Sequence, residues 1–91
     1  MSIIFSAHAA KRMIERNISE AEVASALTGV AVENYDSAKP YPAKLFFARV
    51  AGRPLHVVAA FDSATGDVFI ITVYEPDLSA WMPDFVTRRK P

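Results

Sequence analysis

The hydrophobic period of the chain changes from helical to β-type at Gly29, and that change limits the folds open to it. From Ser6 to Gly29 the apolar residues recur at helical spacing; beyond it come runs rich in Val, Ile, Phe and Tyr, separated by turn-forming residues. Helices first and strands afterwards predict an α+β fold. Ile3 to Phe5 reads as a short edge strand, and Ser6 as the N-cap of a helix running to about Asn17. Ser19 and Glu22 form a capping-box pattern for a second helix, which Val23, Ala26 and Leu27 carry toward Gly29 as a natural C′ residue.

Four strands are expected at Val30 to Tyr35, Lys44 to Val50, Leu55 to Phe61 and Val68 to Glu75. The short links Ala51-Gly52-Arg53-Pro54 and Asp62-Ser63-Ala64-Thr65-Gly66 join them as an antiparallel meander on which the two helices pack. Asp36 to Ala43, with Pro40 and Pro42, is a less regular link. After Pro76, Trp81 and Phe85 are expected to pin a helical turn or short helix to the body, with Pro83 limiting its regularity.

The 91 residues are enough for one domain spanning 1–91, with a core that buries roughly 60–65% of the unfolded surface. An apolar fraction of 52% with 22% charge excludes a disordered chain. The absence of cysteine excludes disulfides and thiolate chemistry, and two isolated histidines argue against a metal centre, so no cofactor is expected. With no secretory leader and no apolar run of membrane-spanning length, a soluble cytoplasmic protein without a membrane partner is expected. Ten basic and ten acidic residues give zero formal charge, which lacks the overall signature of a nucleic-acid binder. Charge is uneven locally, with Lys11, Arg12 and Arg16 early and Arg88, Arg89 and Lys90 late.

On the first helix His8, Lys11, Arg12, Glu15 and Arg16 fill one arc, and Ala9, Ala10, Met13, Ile14 and Asn17 the other. The second arc is the expected core face. Imidazole titrates near neutrality and guanidinium matches phosphate oxygens, so the polar arc has the parts of a phosphate site. The same arc also reads as a solvated face in which Glu15 pairs with Lys11 and Arg12.

A register with Val50 opposite Leu55 and Phe61 opposite Asp67 divides the sheet into two faces. One carries Phe46, Ala48, Val50, Leu55, Val57, Ala59, Phe61, Phe69, Ile71 and Val73 toward the helices. The other sets Arg49, His56 and Thr72 side by side, with Tyr74 next along its strand. There His56 would move a proton, Arg49 would stabilise charge on phosphorus, and Tyr74 would stack a base. An ordinary half-exposed sheet accounts for the same pattern. The helix arc and this cluster make one site only if the first helix lies over a sheet edge.

The blocks Ser6-Ala7-His8-Ala9, Arg12-Met13, Glu15-Arg16, Ile18-Ser19, Glu22-Val23, Leu55-His56-Val57-Val58 and Ile71-Thr72-Val73-Tyr74-Glu75-Pro76 resemble a stand-alone bacterial domain family of unknown function related to the BrnT toxins and the RelE/ParE superfamily. The likeness covers about residues 4 to 82. It implies a RelE/ParE-like fold and a toxin of a type II toxin–antitoxin pair that cuts RNA without a metal, with RNA and a cognate antitoxin as partners. By that resemblance His8 or His56 transfers protons, Arg12 and Arg49 stabilise charge, and Arg16, Thr72 and Tyr74 contact the substrate. Two other readings stay open: a non-catalytic interaction module, favoured by the neutral charge, and a small-molecule pocket at Arg49, His56 and Tyr74. Exposed edge strands would also allow a homodimer.

Overall fold

The computed structural model describes residues 2–90. Its elements in chain order are β1 (Ile3–Phe5), α1 (Ala7–Arg16), α2 (Glu20–Ala26), β2 (Val30–Tyr35), β3 (Ala43–Val50), β4 (Arg53–Phe61) and β5 (Val68–Tyr74). Local chemistry sets the helix ends. The Ser6 hydroxyl accepts from the Ala9 amide at 3.0 Å, and Asn17 closes α1 in a left-handed conformation with φ 54°. At α2 both halves of the capping box form: Glu22 N–H donates to Ser19 Oγ at 3.1 Å and Ser19 N–H to Glu22 Oε1 at 2.9 Å.

Gly29 is needed for a reason other than helix capping. The α2 cap is Leu27, and a Cβ at Gly29 would lie 2.2 Å from the Phe47 carbonyl oxygen and 2.8 Å from the Ala48 methyl. The chain must cross β3 at this point with no side chain between. Gly29→Ala is expected to lower unfolding free energy by about 1–3 kcal/mol, the usual cost of forced overpacking, as measured by urea denaturation.

The sheet order is β1-β5-β4-β3-β2. Neighbours from β2 to β5 pair antiparallel, while β1 lies parallel to β5, with Ile3 opposite Val68 and Phe5 opposite Ile70. The expected four-stranded antiparallel sheet is thus a five-stranded mixed one, because Ile3–Phe5 joins it as a full member.

Two register expectations need correction. Val50 pairs with Arg53, not Leu55, so the first turn is the tight pair Ala51-Gly52, both at positive φ. Phe61 pairs with Val68, not Asp67, which turns Val68 and Ile70 inward and Phe69 outward onto the Tyr41 ring. A β-bulge then adds Ile71 to β5, between the pairs Val58–Thr72 and Ala59–Ile70. The extra residue restores the expected facing of Thr72, Val73 and Tyr74.

The helix-side core gathers Ala9, Met13, Ile18, Val23, Ala26, Phe46, Leu55, Val57, Ala59, Val68, Ile70 and Val73. Of the arc expected to face it, Ala9 and Met13 are buried, but Ala10, Ile14 and Asn17 are exposed. Among strands, α1 packs mainly on β5, next to the last strand of the sheet, so only a narrow stripe of the helix is covered.

The opposite face of the sheet is covered too. Residues 76–90 form an irregular strap instead of the expected helical turn, with Trp81 bridged to Arg88. Asp77 accepts from the Ser79 and Ala80 amides, and Asp84 accepts from those of Val86 and Thr87. Such side-chain bonds compete with helix formation, and Pro83 lacks the donor a helix interior needs.

Candidate functional site

The strap turns the expected polar sheet face into a second packed layer. His56 is fully buried. Its Nε2 lies 2.7 Å from the Phe85 carbonyl oxygen and its Nδ1 3.1 Å from the Tyr74 hydroxyl. A carbonyl only accepts, so Nε2 carries the proton, and the neutral ring accepts at Nδ1 from Tyr74. Burial holds the His56 pKa below its ordinary value, against an opposing pull from the Phe85 carbonyl and Glu33. Burial likewise raises the Tyr74 phenol. Phe47, Tyr74 and Trp81 set their rings edge-on to the imidazole, with Trp81 closest at 4.5 Å between centroids. Phe85 adopts φ 58°, a conformation L-residues seldom take, and its carbonyl meets the imidazole from there.

Glu33 and Arg88 fasten the strap at the β2 side. The guanidinium donates twice to the carboxylate, at 2.6 and 3.0 Å, and lies 4.6 Å from the Trp81 ring centre. Tyr35 donates to the same carboxylate at 2.5 Å. With Arg88 as the main cause, Glu33 is pulled down to a pKa of about 2. Arg53, on the helix side, donates to the Arg16 and Asn17 carbonyls at the end of α1 and to Glu22 at 2.8 Å. Sequence reasoning missed the fastening roles of Glu33, Arg88 and Arg53. Glu33 interrupting a β-type run was the one available signal; nothing in the spacing links Arg53 to a residue 31 positions away.

Arg49 is not beside His56. In the observed register Phe47 faces His56, and Arg49 faces Pro54 while its guanidinium lies 5.4 Å from the Phe85 ring centre. Thr72 faces Val58, so Arg49 and Thr72 are offset by the four positions from Pro54 to Val58 on β4, about 13 Å along the strands. The cluster of Arg49, His56 and Thr72 does not assemble.

A different group does. The His8 side chain is exposed, and its Nε2 lies 3.2 Å from Thr72 Oγ1, joining the N-terminal turn of α1 to β5 just after its bulge. The Ser6 hydroxyl donates to the Ile71 carbonyl and fixes the same turn. His8, Lys11, Arg12 and Glu15 line a shallow depression of about 110 Å³. Arg12 meets Glu15 at 3.6 Å, an exposed pair that holds the guanidinium loosely. Arg16 continues the exposed arc one turn on. The first turn of α1 contains no acidic residue, so no carboxylate there opposes the positive end of the helix. This surface can hold an anion and offers one accessible imidazole beside it.

Among the described residues no group of three or more His, Cys, Asp or Glu side chains could hold a metal ion. No helix among them is long and apolar enough to cross a membrane.

Residues 5–75 match DUF4258, a domain of unknown function, and the chain belongs to that family. The match contains α1, the His8–Thr72 contact and both partners of the His56–Tyr74 bond, and it stops before the strap. No curated protein and no solved structure matched the chain.

Proposed function

We propose that the chain is a metal-independent RNA endonuclease acting as the toxin of a type II toxin–antitoxin pair, with its site on the exposed face of α1. The order of elements, two helices between a short parallel strand and an antiparallel run, supports a RelE/ParE-like reading of the fold, related to the BrnT toxins. The observation that carries the activity is the accessible His8 imidazole, bonded to Thr72 and flanked by Lys11 and Arg12 in one depression. Arg12 grips the phosphodiester beside His8, and Arg16, one turn on, contacts the adjoining backbone. His8 takes the proton from the ribose 2′-hydroxyl as its oxygen bonds to phosphorus. The bond from phosphorus to the 5′-oxygen then breaks, and that oxygen takes a proton from the Lys11 ammonium, leaving a 2′,3′-cyclic phosphate. Thr72 orients the imidazole. His56, buried with both nitrogens occupied, has a structural role in this reading, and Arg49 and Tyr74 lie outside the site.

Purified protein incubated with a single-stranded RNA oligomer in EDTA is expected to give products ending in cyclic phosphate. His8→Ala is expected to slow cleavage by about 10²–10⁴-fold, the range for removing a general acid–base group, while Arg49→Ala leaves the rate unchanged. Intact RNA with the folded wild-type chain would overturn the nuclease reading. The zero formal charge favours a second reading, a non-catalytic interaction module, which predicts intact RNA and no growth arrest on expression.

A further inference from the structure

At the β1 end of the sheet, Ser2 and Ser6 bond through the main chain to β5: Val68 N–H donates to the Ser2 carbonyl at 2.8 Å and Ser6 N–H to the Ile70 carbonyl at 3.0 Å. Strand alternation therefore turns the N–H and C=O groups of Ile3 and Phe5 outward, to an edge that no strand covers among the described residues. The two sheet edges are treated differently. At the β2 edge a register shift between Ala31 and Glu33 breaks the ladder, and the strap residue Arg88 is tied to Glu33. The β1 edge, Ile-Ile-Phe, has no charge, proline or bulge to blunt it.

Beside that edge lies a groove of about 550 Å³, running between Phe5, the exposed side of α1 and the start of α2. Its apolar wall includes Met13, Ile18 and Ile14, and Ile14 is 83% exposed in a helix whose neighbouring Met13 is buried. At its rim Glu20 presents a carboxylate with no salt-bridge partner among the described residues. On the other side of the same edge Ile4 is 42% exposed.

We propose that this end of the sheet binds an extended segment of a different protein, which adds a strand outside β1, drops an apolar side chain into the groove against Ile14, and sets a Lys or Arg on Glu20. Three observations select that occupant. The unpaired main-chain groups of Ile3 and Phe5 suit an extended chain; the groove suits an apolar anchor one face away; the carboxylate without a salt-bridge partner suits a basic flank. With only three residues in β1, main-chain pairing is brief, so the anchor in the groove sets the specificity. The site is separate from the His8 depression and stands whether or not the chain cleaves RNA.

The probe is a phage-displayed library of random octapeptides selected against the full chain. Enriched peptides are expected to alternate apolar and polar residues and to carry a basic residue beside the anchor. Their affinity should drop at least about tenfold, 1.4 kcal/mol, in each of Ile14→Lys and Glu20→Lys. Both positions are exposed, and unchanged far-ultraviolet circular dichroism verifies folding. In the complex the Ile3 and Phe5 amides should gain protection from hydrogen exchange. Failure to enrich any peptide, or peptides indifferent to Ile14→Lys, would overturn the proposal. So would a dimer in analytical ultracentrifugation that Ile14→Lys splits, since the edge would then serve a second copy of this chain.

Discussion

Trp81→Ala is expected to cost about 3–5 kcal/mol of unfolding free energy, the range for emptying a buried indole site. Each kcal/mol lowers the melting temperature by about 4–8 °C in a domain of this size. Trp81 is 3% exposed although it belongs to a segment without regular secondary structure. It closes the box around His56, supports the Arg88 guanidinium on its ring, and bridges to Arg88. Loss of the indole removes the strap's main apolar anchor. The strap amides bonded within the segment, Met82 to the Thr87 carbonyl and Arg89 to the Ala80 carbonyl, should then exchange with solvent far sooner than those of β4 and β5. A loss below about 1 kcal/mol, within the range of surface substitutions and small perturbations, would show that the strap adds nothing to the fold.

The second large effect depends on pH. His56 is held neutral in the folded chain, with its pKa below the ordinary 6.5, so the unfolded chain binds more protons between that lowered value and 6.5. Its contribution to stability is complete above about pH 6.5 and is lost as pH falls through this window. Glu33 acts in the same direction lower down: held at about 2 against an ordinary 4.5, it withdraws its contribution as pH falls from 4.5 toward 2. The charged groups near the imidazole are Glu33, which favours its protonation, and Arg88, which opposes it. His56→Phe keeps an aromatic ring but leaves the Phe85 carbonyl and Tyr74 hydroxyl without their partner, at a cost of about 1–3 kcal/mol at pH 8. Because the wild type weakens on acidification while the variant has no imidazole to titrate, the gap between them should narrow from pH 8 to pH 5. Urea titrations of both proteins at pH 8, 6.5 and 5 measure it. A gap constant with pH would mean that the folded chain does not hold His56 neutral.

Much of the local structure was legible because its causes lie within a few residues. Ser6 and Ser19 cap their helices through bonds spanning three positions, and β-type runs announce the later strands wherever turn residues break them. The exposed arc of His8, Lys11, Arg12, Glu15 and Arg16 followed from helical spacing alone. The sheet-face cluster was not legible. A two-residue slip at the first turn and a bulge at Ile71 moved Arg49 and Thr72 apart, and a bulge is a single-residue event decided by packing on both sides of the strand. The role of His56 depended on whether the tail would lie over it, and neither Trp81 nor Phe85 carries a spacing that tells where it docks.

By itself, the sequence determined an α+β chain with two capped helices ahead of the later strands, and an imidazole set among cations on one helix face. These follow from periodicity and capping, which act over single turns of the chain. Only the tertiary structure decided that Ile3–Phe5 completes a five-stranded mixed sheet, that His56 is sealed under the strap, and that His8 meets Thr72. Each of these joins residues far apart in sequence, and which of them meet is set by burying both faces of the sheet at once.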